Sequence, residues 1–259
     1  MTGNSSKAAL VLQPRDRTLF SALGIMRVVD RQQAARAAGF TSRTRANARL
    51  LALSRAGLLV RFFVGSVGGG RRSLYTLTQQ GAELVGAQKG INRKSGEQVS
   101  GDAFIEHQLH VNQVYLAATQ PRHENSTMHV SSWRVFYQPI SKAIALTPDG
   151  YLELQTGGDI RPAFLEVDLG TESQTVWGEK VRQYVQLAVS GDFQRQFGRG
   201  KFRVLVIAPS EARLRSIQKT VLQRTDKIFW LTTFEAINRD GFCAAVWLRP
   251  SGEQKQSLI

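Results

Sequence analysis

The first part of the chain carries apolar residues at helical spacing. One such segment runs from Pro14 to Met26, and its proline suits the first turn of a helix. A second, shorter helix is predicted between Asp30, in a capping position, and Gly39, in a stop position. A third is predicted over residues 43–56, because one of its faces is formed by Ala46, Leu50 and Leu53.

Two apolar runs at residues 58–64 and 74–77 follow, and they predict the strands of a hairpin. The segment between them is rich in glycine and ends in Arg71 and Arg72, which indicates a flexible tip. Thr78 then stands in the capping position of a fourth helix. Three helices, a hairpin and a closing helix are the order of a winged helix-turn-helix, which we predict for residues 14–87.

Residues 103–250 alternate between helical and strand-like patterns. The patterns predict helices at 103–120, 174 to about 193 and 211–222, and strands at 128–137, 143–154, 163–168, 202–208, 228–231 and 244–248. This order predicts an α/β domain around a mixed sheet, so the expected fold class of the whole chain is α+β. Residues 88–102 are polar and rich in glycine and serine, and are predicted to link the two domains.

The distribution of charge along the chain limits the kinds of partner that the protein can bind. The 259 residues include 34 Lys and Arg against 20 Asp and Glu, and 16 of the basic but only 4 of the acidic residues lie in the first 100. This asymmetry indicates a polyanionic partner for the first domain, with nucleic acid ahead of a membrane surface. Cys243 is the single cysteine, so an intramolecular disulfide is excluded. Without a signal-like N-terminus or an apolar run of about 18 residues, we expect a cytoplasmic protein that does not enter membranes.

Basic and amide side chains are concentrated on the predicted third helix and at the hairpin tip. With the apolar face of the helix turned to the core, its polar residues project outward, and those near its N-terminus are placed to enter the major groove. Arginine reads guanine edges, asparagine reads adenine edges, and arginines on the tip contact phosphates. We therefore predict a double-stranded DNA interface formed by Arg43, Arg45, Asn47, Arg49, Arg71 and Arg72. The alternative is a solvated basic helix without a partner.

Acidic residues follow the strands of the second domain. Glu166 and Asp168 are two apart on a predicted internal strand, which places both carboxylates on one face, and Asp149 is expected to meet them. Such carboxylates suit Mg²⁺ or Mn²⁺. His107 is either a third metal ligand beside Asp149 and Glu166 or a hydrogen-bonded helix histidine. Chance alignment of solvent-facing acids is the alternative to a site.

Several stretches resemble the replication-relaxation family of plasmid and mobile-element proteins, over most of residues 15–190. They are RDRTL at 15–19, RAGLL at 55–59, YTLTQQG at 75–81, EHQLHVN at 106–112, PD at 148–149 and FLEVDLGTE at 164–172. The resemblance implies a winged-helix DNA-binding region and a part in relaxing DNA for replication or transfer. It also implies a relaxase or replication initiator as protein partner, but it establishes no catalytic activity.

The second domain also resembles the restriction-endonuclease-like core built on Pro-Asp and Asp/Glu-x-Lys. Asp149 would be the first element and Glu166 the second, whereas Asp168 stands where that core has its lysine. That lysine activates water and neutralises developing phosphorane charge, so its loss should weaken catalysis. Lys180, four residues before Tyr184 on the following helix, is positioned to compensate. The resemblance thus implies Asp149, Glu166, Asp168 and Lys180 as the catalytic set of a degenerate nuclease site.

Three functions are open from the sequence. The leading hypothesis is a double-stranded DNA-binding accessory protein of a plasmid or mobile element. The second is a metal-dependent endonuclease that nicks DNA near an origin. The third is a winged-helix transcription regulator whose second domain senses a ligand or dimerises. The oligomeric state is also open, although homodimers on paired half-sites are common in this class.

Overall fold

A computed structural model describes residues 10–65, 69–88, 101–120 and 128–258. The chain forms two compact units that divide between Leu116 and Ala117. The fold is α+β, as predicted, with a small antiparallel sheet and a larger mixed sheet. Most of the predicted linker, residues 89–100, lies outside the described residues.

The first unit combines short helices with a three-stranded antiparallel sheet of order β1-β3-β2. In chain order its elements are α1 Pro14–Met26, β1 Val29–Asp30, α2 Arg31–Ala37, α3 Arg43–Arg55, β2 Leu59–Gly65, β3 Arg71–Leu77, α4 Gln79–Glu83 and α5 Asp102–Thr119. The side chains of Asp30, Ser42 and Thr78 cap α2, α3 and α4 by accepting hydrogen bonds from backbone N–H groups of the first turn. The helices and the hairpin predicted from the sequence are thereby confirmed.

Helix α5 packs with the first unit, although the sequence pattern assigned it to the second. Its apolar residues Ile105 and Leu109 lie in a buried cluster with Val28, Val64 and Leu74. The Nδ2 of Asn112 donates to the carbonyl oxygen of Val28 at 2.6 Å, and the Nε2 of Gln33 donates to that of Leu109 at 2.7 Å. These contacts fix α5 against the start of α2, which explains where the chain divides.

The second unit is built on a five-stranded mixed sheet of order β4-β5-β6-β7-β8. Its elements are β4 Met128–Arg134, β5 Gly150–Thr156, β6 Asp159–Val167, α6 Gln174–Val189, α7 Asp192–Phe197, β7 Arg203–Ala208, α8 Glu211–Leu222, β8 Phe229–Thr233 and α9 Phe234–Asp240. Strands β4, β5 and β6 are antiparallel neighbours, whereas β6, β7 and β8 run parallel. The apolar run predicted as a central strand is β7, which is internal and almost wholly buried.

Some predicted boundaries were wrong for identifiable reasons. Strands β5 and β6 form a hairpin around Gly157 and Gly158. Strand β5 begins at Gly150, and residues 143–149, which were predicted to belong to it, precede it. The long helix ends at Val189, because Gly191 adopts a φ of 75° and starts the separate helix α7. Residues 244–248 contribute isolated bridges and no extended strand.

Helix α6 packs on the sheet through residues that fix its orientation. Trp177, Val181, Tyr184 and Leu187 are buried in the main core of this unit. The ring centroids of Tyr184 and Phe164 lie 5.6 Å apart, which ties the helix to β6. This packing brings the polar side chains of α6 to the carboxyl end of β6.

Candidate nucleic-acid interface and buried carboxylate cluster

Helix α3 presents a cationic first turn on the surface of the first unit. Ala46, Leu50 and Leu53 are buried, so the helix is rotated with its opposite face outward. Arg43 and Arg45 are exposed on that face. The N-terminal turn of α3 therefore carries two guanidinium groups that the solvent and a ligand can reach, as the sequence pattern predicted for these two residues.

Arg49, also predicted to contact DNA, has a structural partner. Its Nε donates to Oδ1 of Asp16 at 2.9 Å, and its Nη2 donates to Oδ2 of the same carboxylate. The Nη2 also donates to the carbonyl oxygen of Val11 at 2.7 Å. The side chain of Asp16 is only 1% exposed, and its carboxylate raises the pKa of Arg49. The guanidinium thus neutralises a buried acid, which the spacing of the helix did not indicate.

Asn47 and the hairpin arginines occupy intermediate positions. Asn47 is half-buried, and its Oδ1 has no hydrogen-bond donor among the described residues. Arg71 is exposed at the start of β3, whereas Arg72 places Nη1 3.1 Å from Oε1 of Glu106 on α5. Residues 66–68 of the predicted tip lie outside the described residues.

A polar cleft of about 350 Å³ lies beside the tip end of the hairpin. Its basic lining residues are Arg31, Arg71 and Arg72, and Asp30 contributes the one acidic side chain of the lining. Asp30 is already engaged as the cap of α2, since its Oδ1 accepts from the backbone N–H of Gln33 at 2.8 Å. The cleft adds positive charge beside the first turn of α2.

The second unit contains a buried carboxylate cluster at the carboxyl end of β6. The Oε2 of Glu166 accepts a hydrogen bond from Nζ of Lys180 at 2.8 Å, and its Oε1 accepts one from the hydroxyl of Tyr184 at 2.5 Å. Glu166 is 1% exposed. Burial raises its pKa, and nearby Asp149 acts in the same direction, whereas Lys180 favours the anion. Both oxygens of this carboxylate are therefore used within the protein.

Lys180 connects two acids. Its Nζ lies 2.8 Å from Glu166 and also 2.8 Å from Oε1 of Glu172. Burial alone would lower the pKa of Lys180, but the two carboxylates outweigh it and raise the pKa above its ordinary value. The sequence placed Lys180 near Glu166, and the structure brings these two side chains together. Glu172 is the last residue of the FLEVDLGTE stretch, and its contact with Lys180 was not predicted.

Asp149 is held against the same strand end by the backbone. Its Oδ2 accepts from the N–H of Val167 at 2.7 Å, and its own N–H donates to the carbonyl oxygen of Leu165 at 3.1 Å. These two bonds clamp the residue before β5 onto β6. Asp149 and Glu166 are close enough for their charges to interact, in line with the predicted meeting of these two acids.

Asp168 has a different set of partners from Glu166. Arg213 of α8 binds both of its oxygens, at 2.7 and 2.8 Å. Trp177 Nε1 donates to Oδ1 at 3.1 Å, and the N–H of Gly170 donates to Oδ2 at 2.8 Å. Burial alone would raise the pKa of Asp168, but these donors, above all Arg213, hold it below its usual range. Four donors saturate the carboxylate, so its geometry is that of a structural anchor.

The metal role expected for His107, Asp149 and Glu166 stays a prediction. His107 lies on α5 within the first unit, whereas Asp149 and Glu166 lie in the second. Among the described residues, no group of three or more His, Cys, Asp or Glu side chains is arranged to hold a metal ion. Each oxygen of Glu166 already accepts one hydrogen bond, from Lys180 or from Tyr184, so a metal ion would compete with these donors.

Arg213 is the main site residue that the sequence analysis missed. It lies 45 positions after Asp168, on a separate helix, so no local spacing connects the two. The one available signal was the cost of burying Asp168, which requires a cation or several donors nearby. A basic residue in the first turn of a helix behind the next parallel strand was the candidate to consider.

Fold and site together define an α+β protein with a cationic helical unit and a second unit whose buried acids are neutralised internally. The chain belongs to the replication-relaxation family, whose model matches residues 20–204. No curated protein and no solved structure gives a significant match. Within the described part of the chain, none of the helices has the length and apolar character needed to cross a bilayer.

Proposed function

We propose that this protein is a double-stranded DNA-binding accessory protein of a plasmid or mobile element, acting in replication, relaxation or mobilisation of that DNA. The observation that carries the proposal is the pair of exposed arginines, Arg43 and Arg45, on the first turn of α3. They belong to the part of the chain in which basic residues outnumber acidic ones by 16 to 4 within 100 positions. Membership of the replication-relaxation family supports the biological setting.

The first unit would bind as a winged helix. Its order of elements, with α3 followed by the β2–β3 hairpin, supports this assignment. Helix α3 would enter the major groove by its N-terminal turn, where Arg43 and Arg45 reach base edges or flanking phosphates. Arg71 and the hairpin cleft would contact the phosphate backbone and position the helix without reading sequence. A homodimer on paired half-sites stays a prediction.

The second unit would act as a nuclease-like scaffold without cleaving DNA. The contacts of Asp168 with Arg213 and of Glu166 with Lys180 and Tyr184 support this role, because they use the carboxylates to join α6 and α8 to the sheet. A surface held in this way could receive a partner of the replication or transfer machinery, such as the relaxase or initiator expected from the family resemblance.

The DNA-binding proposal is tested by a salt titration. Binding of a fluorescent duplex of about 30 base pairs is measured by anisotropy for wild type, for Arg43→Ala with Arg45→Ala, and for a control pair, Arg17→Ala with Arg55→Ala. The control residues are exposed arginines of the same unit, so net charge changes equally. We expect the Arg43/Arg45 pair to weaken binding and to reduce the slope of log K against log salt by about 2. Equal weakening by both pairs would show that the first turn of α3 is not the interface.

A second function, metal-dependent nicking, is favoured by one observation. Asp149, Glu166 and Lys180 meet at the same strand end, as in a nuclease site with a displaced lysine. Supercoiled plasmid carrying the protein's own genomic neighbourhood is incubated with wild type and with Asp149→Ala/Glu166→Ala, in Mg²⁺, Mn²⁺ or EDTA. We expect retarded but uncut plasmid in every lane. Open circles formed by wild type only when metal is present would replace the scaffold role with that of an endonuclease.

A further inference from the structure

The second unit contains a basic cavity of about 560 Å³. It lies at the amino ends of the parallel strands, where Pro162 of β6, Arg203 of β7 and Trp230 of β8 contribute to its wall. Glu166 lies four positions after Pro162 on β6, a distance of roughly 13 Å along the strand. The cavity is therefore a site separate from the carboxylate cluster.

The lining of this cavity is strongly basic. It carries Arg161, Arg199, Lys201, Arg203, Lys227 and Arg249, with no acidic side chain among the lining residues. Within the described part of the chain, Arg199 is the one member of this set with a salt bridge, to Glu153 at 3.0 Å. Burial lowers the pKa of Arg249, and nearby Asp226 acts in the opposite direction. The charge of the set is thus only partly neutralised by the protein itself.

Backbone carbonyl oxygens hold the arginines in place without removing their charge. Arg161 and Arg203 both donate to the carbonyl oxygen of Leu258, at 2.8 and 2.6 Å. Arg249 donates to the carbonyl oxygens of Asp226, at 3.1 Å, and of Lys227. Such neutral acceptors fix the direction of each guanidinium and leave further N–H groups for a ligand, since a guanidinium has five.

Trp230 organises the same group of cations. The guanidinium carbons of Arg203 and Arg249 lie 4.5 and 4.7 Å from the centroid of its ring. Trp230 is 8% exposed, and its indole N–H has no acceptor among the described residues. Burial lowers the pKa of Arg203 to about 10, and repulsion from Arg161 and Arg249 contributes. The protein therefore holds like charges together at an energetic cost that a bound anion would offset.

We propose that this cavity binds a ligand with two or more adjacent phosphate groups. Arginine binds phosphate oxygens through paired N–H donors, and fixed arginines lose less freedom on binding than mobile ones. A volume of about 560 Å³ falls within the range of small-molecule sites. Lys201 and Lys227 are exposed, so they reach a second phosphate from the rim. The phosphates come either from a free nucleoside triphosphate or from a nucleic acid strand.

The test compares two pairs of charge reversals in the full chain. Lys201→Glu with Lys227→Glu changes the rim of the cavity, and Lys142→Glu with Lys219→Glu changes exposed lysines of the same unit elsewhere. Binding of tripolyphosphate, of ATP and of a single-stranded 15-mer is measured by titration calorimetry. All proteins carry Arg43→Ala and Arg45→Ala, so that the α3 surface does not contribute, and circular dichroism checks that each remains folded.

We expect the rim pair to weaken binding about tenfold or more, as loss of charge-assisted hydrogen bonds should, and the control pair to leave it within about twofold. Tripolyphosphate and ATP binding that follows this pattern identifies a free phosphorylated ligand. Binding of the 15-mer alone, with the same pattern, identifies a nucleic acid strand as the source of the phosphates. Equal weakening by both pairs, or no binding of any probe to the parent protein at millimolar concentration, would overturn the proposal.

Discussion

Arg45 and Arg49 lie on the same helix but are expected to have different roles, and this difference tests how α3 is oriented. Arg45 is exposed, whereas Arg49 binds both oxygens of Asp16, a residue that is only 1% exposed. Arg49→Ala would leave this carboxylate with the backbone N–H of Gln13, at 2.7 Å, as the remaining partner among those observed. We therefore expect Arg49→Ala to act on stability and Arg45→Ala to act on DNA binding.

The magnitude follows from the burial of the pair. Removing one partner of a buried ion pair costs about 3–5 kcal/mol, because the other charge stays buried without compensation. Arg49 is 15% exposed, so water can partly replace it at Asp16, and the lower end of that range, about 3 kcal/mol, is appropriate. At about 4 °C per kcal/mol, the first unit should melt roughly 12 °C lower.

Calorimetry and chemical unfolding measure this difference, with Arg45→Ala as the matched control. Arg45→Ala should change the free energy of unfolding by no more than about 0.5 kcal/mol, as is usual for a surface substitution. The double variant Asp16→Ala/Arg49→Ala should lose less than the sum of the single variants, because the unpaired charge is then absent. If Arg49→Ala were as stable as Arg45→Ala and lost DNA binding instead, Arg49 would be an interface residue and our reading of its contact would be wrong.

Three further substitutions test the packing, each followed by calorimetry. Tyr184→Phe removes the hydroxyl that donates to buried Glu166 and should cost about 2 kcal/mol. Asp168→Asn should cost about 3 kcal/mol at neutral pH. Because donors hold the pKa of Asp168 below its usual value, the difference in stability between wild type and variant should shrink as the pH falls below about 4. Stability curves of the two proteins that stay parallel across this pH range would contradict the prediction. Gly81→Ala would place a Cβ 2.2 Å from the carbonyl oxygen of Leu58, so we expect a loss of about 1–3 kcal/mol, and an unchanged melting temperature would show that this backbone can move freely.

Elements with strong local signals were predictable from the sequence. Helix α1 has its predicted bounds, and α2 begins after Asp30, whose side chain caps the helix as predicted. The start of β5 was missed because Ile144 and Leu146, which precede it, are also apolar and buried, although the Gly157-Gly158 pair was a recognisable hairpin signal. Local patterns identify elements, but they give strand ends poorly when the flanking loop is itself buried.

Assignment of α5 failed for a different reason. Its apolar face could pack against either unit, and only distant contacts decide between them. The bond from Asn112 to the carbonyl oxygen of Val28 spans 84 positions, and the one from Gln33 to Leu109 spans 76. The periodicity of the helix does not show which unit it packs against. A domain boundary placed at the polar, glycine-rich stretch therefore could not take these contacts into account.

The contacts of the site residues also differ in how far apart the partners are in the sequence. Pairing of Lys180 with Glu166 was foreseeable, because the helix follows the strand directly and the two residues are 14 apart. Pairing of Arg49 with Asp16 spans 33 residues and that of Arg213 with Asp168 spans 45, and neither has a local signature. A ligand-binding role predicted for an arginine from its charge alone is therefore easily overturned, because a distant acid can pair with that arginine in the folded protein.

The energetics of Glu166 bear on the choice between scaffold and nuclease. A divalent cation at this carboxylate would compete with Lys180 and with the Tyr184 hydroxyl, each of which makes a hydrogen bond to a charged group worth about 1.5–3 kcal/mol. Displacing Lys180 would also leave its ammonium beside the cation, with Glu172 as the partner to retain it. A metal could overcome this cost only with several further oxygen ligands, and Asp168, the nearest acid along the chain, is already saturated by four donors. A metal at this carboxylate would therefore need oxygen ligands from bound DNA, and we expect metal binding at this carboxylate to require DNA.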